Sequence, residues 1–287
     1  MLYTEIIDHT LLLFGGPYSN LAATRAMREQ ARVLNIPADH VICCGDLVAY
    51  CAEPVETIDL IRDWGIPVVM GNCEESLAYE EPDCGCGFDP GSSCSALSVT
   101  WYEYANARVT PDQRRWMQGL PRSLDFRIGQ TSFKVVHASV ASINEFVFAS
   151  TDPGLKSREL NQAGAGVIIG GHSGIPFGES IGQRLWLNAG VIGMPANDGT
   201  RGGWYMLLDP QGDGFDVSWH RLAYDYQASH QTSHAAGMTE YAQALLDGLW
   251  PSMDSLPEVE RRQRGQALDP SAIKFRLNSA AHEYNSG

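Results

Sequence analysis

In this chain of 287 residues, four short apolar runs each stop at a residue able to ligate a metal ion. Val41-Ile42-Cys43-Cys44 leads into Gly45-Asp46, Ile66 to Met70 into Gly71-Asn72, Thr131 to Val136 into His137, and Val167-Ile168-Ile169 into Gly170-Gly171-His172. Apolar runs of that length broken by glycine suit buried strands that hand the chain to a loop. A further run, Thr10 to Phe14, is broken by Gly15-Gly16-Pro17. Helical spacing fills the first intervals. Ala23, Met27, Ala31 and Leu34 share a face behind an N-cap at Ser19 or Asn20, and Val55, Ile58 and Ile61 do so behind Pro54, which suits the first helical position. The resulting βαβαβ order predicts an α/β fold whose site is built from loops at the carboxyl ends of the strands, where Asp46 and Asn72 fall.

Asp46, Asn72, His137 and His172 offer one carboxylate, one amide oxygen and two imidazoles. That mixture suits a borderline divalent ion such as Mn, Fe, Zn or Ni better than Mg or Ca, which prefer oxygen shells. Each residue alone has a plainer reading: an Asp after Gly is often a turn residue, and a His at a strand end is often a satisfied core residue. All of them at strand ends on one side of a sheet point to a metal site.

The loops themselves are specific. Gly45-Asp46-Leu47-Val48-Ala49-Tyr50, Gly71-Asn72-Cys73-Glu74, the Val135-Val136-His137 strand end, Gly171-His172-Ser173 and Asn188-Ala189-Gly190-Val191-Ile192-Gly193 resemble the corresponding loops of calcineurin-like metallophosphoesterases, in their bacterial branch of small phosphodiesterases. The resemblance runs from about Leu11 to about Tyr226. It implies a two-sheet β-sandwich flanked by helices in four αββα layers, with two metal ions that share the Asp46 carboxylate. By position, Asn72, His137 and His172 complete one of the two sites. The other site departs from the pattern: where the family carries an Asp-x-His and a final His, this chain carries Gly16, Tyr18 and Gly174. Neither glycine has a side chain to offer, and Tyr18 is a ligand only as a phenolate. The expectation is one divalent ion per chain.

Cys73 stands where many relatives carry a His that protonates the leaving group, so Asp46, Cys73 and Glu74 are the candidate catalytic residues, the alternative for Glu74 being a solvated acidic loop. Asn20 and Asn72 are the candidate substrate contacts.

The remaining chain is less eloquent. Cys73 to Cys94 is polar and rich in Gly, Pro and Cys, which reads as a long excursion over the site face. Within it Cys84, Cys86 and Cys94 lack a zinc-ribbon spacing, and seven cysteines without an export signal favour reduced thiols over a disulfide framework. A helix is expected from about Ser95 to Asn106, and another from Thr110-Pro111-Asp112-Gln113, a capping box with Pro at the first position. Ser123 to Ile128 and Thr131 to Val136 form a hairpin around Gly129-Gln130, and Arg184 to Asn188, Gly203 to Leu208 and Phe215 to Leu222 read as later strands. The chain divides into a domain over residues 1–226 and a helical extension over 227–287, with a helix near Met238 to Leu249 and a charged, mobile tail.

A net charge of −14 repels nucleic-acid backbones and anionic lipid, and no apolar run reaches the roughly 20 residues of a spanning helix. A cytoplasmic protein is expected, free or homo-oligomeric, acting on a small phosphorylated substrate or ligand. Three function classes stand: a metal-dependent phosphoesterase, a non-catalytic regulatory module that keeps the fold and one metal, or a hydrolase with a centre rebuilt on cysteines.

Overall fold

A computed structural model describes residues 6–276. The first sheet is built on β1 (Leu11–Phe14), which pairs parallel with β2 (Val41–Cys43) on one side and antiparallel with β8 (Gly203–Gln211) on the other. Beyond β8 lie β9 (Gly214–Leu222) and the edge strand β10 (Ile273–Arg276). The second sheet runs β3 (Ser123–Ile128), β4 (Thr131–Val136), β5 (Val167–Gly170), β7 (Arg184–Asn188) and β6 (Phe177–Ile181).

The two five-stranded sheets pack face to face, and the alternation of side chains along each strand assigns residues to layers. Leu11 and Leu13 of β1 enter the inter-sheet core with Phe133, Val135, Val167, Ile169 and Phe215, while Leu12 and Phe14 face the helical layer. In the same way Ile168 and Trp186 leave the inter-sheet core for the opposite outer face, where they meet Leu160. β1 is apolar throughout because both of its faces are covered. The outer layer over the first sheet holds α1 (Leu21–Val33) and α2 (Pro54–Trp64), and that over the second holds α6 (Pro153–Ala163). This is the four-layer α/β sandwich expected.

Several elements follow from local chemistry. The Asn20 side chain accepts the Ala23 N–H to start α1, and Thr110 and Gln113 form the reciprocal capping box of α5 (Pro111–Gln118). α4 (Ser93–Asn106) begins from a Ser92 cap, close to the expected span. Two expectations need correction. Ile66 to Met70 forms no full strand: Pro67 lacks an N–H, and the segment touches β2 by the single bridge Cys43–Val68. The segment after Asn72 is not all irregular, since α3 (Asn72–Tyr79) opens it from a Gly71 N-cap.

After residue 226 come α7 (Tyr226–Ala235), α8 (Thr239–Asp247) and α9 (Glu258–Arg262), and the chain then returns as β10 alongside β9. That segment is therefore helical only in part. The charged end of the tail, residues 277–287, lies outside the described residues. Among the described residues no helix is long and apolar enough to cross a membrane.

Candidate metal centre

Asp46 follows β2 in a left-handed turn, with φ of 58° after Gly45 at 93°. Gly45 is required there: a Cβ would lie 2.8 Å from His137 Nδ1 and 2.8 Å from the Gly71 amide nitrogen. The Gly-Asp and Gly-Asn loops cross at van der Waals distance, and that crossing brings Asp46 to the first turn of α3. Cys73 N–H donates to Asp46 Oδ1 at 3.3 Å, an anion held at a helix N-terminus. His137 and His172 arrive from the second sheet, after β4 and β5, which are parallel neighbours.

All four residues are buried, and they converge on one point. His137 Nε2 lies 3.1 Å from Asn72 Oδ1, 3.0 Å from His172 Nδ1 and 3.3 Å from Asp46 Oδ2. Ligand atoms of Asp46, His137 and His172 all fall within 4.8 Å of one another. The orientations of His137 and Asn72 are fixed from outside. His137 Nδ1–H donates to the Cys44 carbonyl at 2.7 Å, which leaves the Nε2 lone pair pointing inward. Asn72 Nδ2 donates to the Cys84 carbonyl at 2.9 Å, which turns its oxygen inward. Two lone pairs and a carboxylate facing one another in a dry pocket repel unless a cation sits among them. The donor set fits a borderline divalent ion, and its second layer of hydrogen bonds is already in place.

The electrostatics agree. Burial alone would raise the Asp46 pKa, but His137 and His172 override it and hold the carboxylate well below its usual range. Burial pulls His137 down while Asp46 pulls it up, with a net rise. For His172 burial prevails and the pKa falls, favouring the neutral imidazole that ligates metals; its Nε2 has no hydrogen-bond partner among the described residues.

The other expected site residues are placed as follows. Glu74 is fully buried, and its carboxylate accepts from the amides of Asp46 at 2.7 Å, Leu47 at 2.7 Å and Gly71 at 3.0 Å. It is no solvated loop residue. It ties the two ligand loops together, with burial and the Asp46 charge pushing its pKa up to about 7. The Cys73 thiol packs in the apolar core, and burial, with Asp46 and Glu74 nearby, holds it protonated. Asn20 spends its amide inside the fold: Oδ1 accepts from Ala23 N–H and Ser229 Oγ–H, and Nδ2 donates to the Gly193 carbonyl and the Tyr224 hydroxyl. It caps α1 and anchors α7, and no amide hydrogen is left for a substrate.

At the departed half-site, aromatic rings occupy the space of the missing ligands. A Cβ on Gly16, where φ is +42°, would sit 2.4 Å from Tyr18 Cζ, and one on Gly174 would sit 3.4 Å from Trp250 Cζ2. Gly16 makes room for the Tyr18 ring, whereas a Cβ on Gly174 would meet Trp250 at ordinary contact distance and what favours glycine there is its φ of +70°. Tyr18 meets Tyr50 edge-on at 4.7 Å, and Tyr50 stacks on Tyr241 at 4.6 Å. Burial, reinforced by Asp46, raises the Tyr18 pKa well above its ordinary value, which favours the neutral phenol. Trp250 and the Cys44 carbonyl escaped sequence reasoning. The first lies far along the chain, and the second is a backbone atom with no residue signature.

The cysteines also need a correction. Cys84 and Cys86 form a disulfide, whereas Cys43, Cys44, Cys51, Cys73 and Cys94 are free and buried. Reduced thiols hold for those five and fail for the Cys-Gly-Cys pair. The excursion does fold over the site through the Cys84 carbonyl, yet no sulfur joins the metal-ligand group among the described residues.

Comparison with known proteins agrees with this geometry. The chain shares 25% identity over 231 residues with an uncharacterized protein of Methanocaldococcus jannaschii, covering 75% of this chain and 87% of that protein. A metallophosphoesterase from Sphaerobacter thermophilus is similar in structure at a TM-score of 0.64 and 19% identity, with 85% of this chain and all 100% of that one aligned. A hypothetical protein from Pyrococcus horikoshii OT3 superposes at 0.67 and 15% identity, over 84% of this chain and 99% of that one. The sequence profile of the calcineurin-like phosphoesterase superfamily domain matches residues 14–213, and the chain belongs to that superfamily.

Proposed function

We propose that this protein is a metal-dependent phosphoesterase that works with a single divalent ion held by Asp46, Asn72, His137 and His172. The observation that carries the reading is the convergence of Asn72 Oδ1, His172 Nδ1 and Asp46 Oδ2 within 3.3 Å of His137 Nε2. An ion there supplies Lewis acidity toward a phosphoryl oxygen and lowers the pKa of a bound water. The chain does the rest by positioning. The Cys44 carbonyl keeps His137 in one tautomer, Glu74 keeps the Asp46 and Asn72 loops in register, and the walls of apolar rings exclude water. Cys73 and Glu74 act in this reading as supports, and Asp46 as the anionic ligand. The net charge of −14 favours a small phosphoester over a nucleic-acid chain.

The filled half-site favours one second reading, a ligand-binding module without turnover, because the clamp of two ions on attacking and leaving oxygens is replaced by Tyr18 and Trp250. Turnover of bis(p-nitrophenyl) phosphate after Mn loading separates the two. Hydrolysis that disappears in Asp46→Ala supports the enzyme. A fully loaded, folded protein with no turnover of aryl phosphodiesters or monoesters supports the binding module.

A further inference from the structure

A small cleft, with about 60 Å³ open to the centres of water-sized molecules, has His172, alone of the four metal-ligand residues, in its wall. Its other walls come from every part of the fold: Tyr18 and Tyr50 from the loops after β1 and β2, Phe146 from the second sheet's loops, and Tyr241 and Trp250 from α8 and the turn after it. No Asp, Glu, Lys or Arg lines it, although the chain is strongly charged. The rings are held in place. Trp250 donates Nε1–H to the Pro195 carbonyl at 2.7 Å and its backbone N–H to Asn197 Oδ1 at 2.8 Å, and Phe146 lies against His172 with ring centres 4.4 Å apart. Tyr241, Trp250 and Ser255 lie beyond residue 213, where the superfamily match stops.

We infer that the segment after residue 226 is a specificity element, and that together with Tyr18 and Phe146 it shapes this cleft to receive a flat, uncharged aromatic group of the phosphoester whose phosphoryl end meets the metal centre. The inference rests on the phosphoesterase reading above for the phosphoryl end alone. Fixed rings offer a planar group stacking and edge contacts with little ordering cost. A charged group would meet no opposite charge here, since the wall offers only rings, aliphatic and sulfur groups, hydroxyls and His172, and the Ser173 hydroxyl is already given to the Val147 carbonyl at 2.7 Å. The Tyr18 ring belongs both to this cleft and to the half-site that a second ion would need.

Binding to the Mn-loaded protein, measured by calorimetry with phenyl phosphate, methyl phosphate and phenol, tests this without requiring turnover. Phenyl phosphate is expected to bind roughly tenfold more tightly than methyl phosphate, the order that withdrawing one ring from water supplies. Trp250→Ala, which removes a wall, and Ser255→Trp, which fills the mouth without deleting packing, should each cut that ratio to below about threefold while bound Mn stays unchanged. Equal binding of the two esters by the wild-type protein, or a ratio that survives in both variants, overturns the inference. Phenol binding as tightly as phenyl phosphate would leave the aryl cleft standing and remove the phosphoesterase reading instead.

Discussion

Glu74 accepts hydrogen bonds from the amides of Asp46, Leu47 and Gly71, so three buried donors depend on one carboxylate. Replacing it by Ala strands all of them. Glu74→Ala should destabilise the fold by about 3 kcal/mol or more in chemical denaturation, and Glu74→Gln, which keeps one acceptor, by clearly less. Equal, small losses would show that water replaces the carboxylate and that the loops hold themselves. The half-site offers a second test at this scale. A side chain on Gly16 meets the Tyr18 ring, so Gly16→Asp alone should cost about 1 to 3 kcal/mol by overpacking and by its positive φ. With Tyr18→His present the cost should shrink, giving a favourable coupling in a double-mutant cycle. Strict additivity would mean that the ring does not fill that space. The ligands were legible in the sequence because each follows a run of apolar residues, with glycine beside Asp46, Asn72 and His172. The fit of Gly16 to the Tyr18 ring was not legible, because that ring is turned back over Gly16 only by tertiary packing against Tyr50.

Among elements, those set by local signals match the sequence reading: the β3–β4 hairpin, the capping box of α5 and the Asn20 cap of α1. Those that depend on partners do not. The segment Ile66 to Met70 is apolar enough for a strand, but Pro67 leaves it a one-bridge edge, and α3 was hidden by polar first-turn residues that serve the site. β10 is short and half-exposed and exists only as an addition to β9. The chain leading to β10 is tied down by Asp198, which accepts from Thr200 N–H at 3.0 Å, Leu268 N–H at 3.0 Å and Arg221 at 2.5 Å. Burial alone would raise the Asp198 pKa, but these donors, with the Thr200 hydroxyl, bring it below the ordinary value. A lowered folded pKa means stability that is present above the unfolded carboxylate pKa and lost as pH falls through the folded one. The stability difference between the wild-type protein and Asp198→Asn should therefore be full near pH 7 and shrink as pH falls below about 4. A difference that is constant down to acid pH would mean that the charge of Asp198 contributes nothing. For the Cys84–Cys86 turn, the double replacement by Ser should leave bound metal unchanged, because no sulfur belongs to the ligand group. Loss of metal, read by elemental analysis, would assign the turn to the centre itself.

For the molecule as a whole, each sheet supplies part of the centre: Asp46 follows β2 of the first with Asn72 beside it at the start of α3, and His137 and His172 follow β4 and β5 of the second. The centre exists only when the sandwich is closed, so metal binding and sheet packing should stabilise each other. The sandwich architecture was legible because β1 and β5 are apolar on both faces and therefore need cover on both sides. The way the last third of the chain returns to wall the site was not, since its contacts are with distant residues and its own pattern is weak. One ion per chain is the central claim, where the resemblance of the loops implies two. Elemental analysis of the purified, Mn-loaded protein decides this most directly: it should give close to one ion per chain, falling to none in a folded Asp46→Ala variant, because the carboxylate is the only anionic ligand in the set. Two stoichiometric ions, or an ion retained without Asp46, would contradict it.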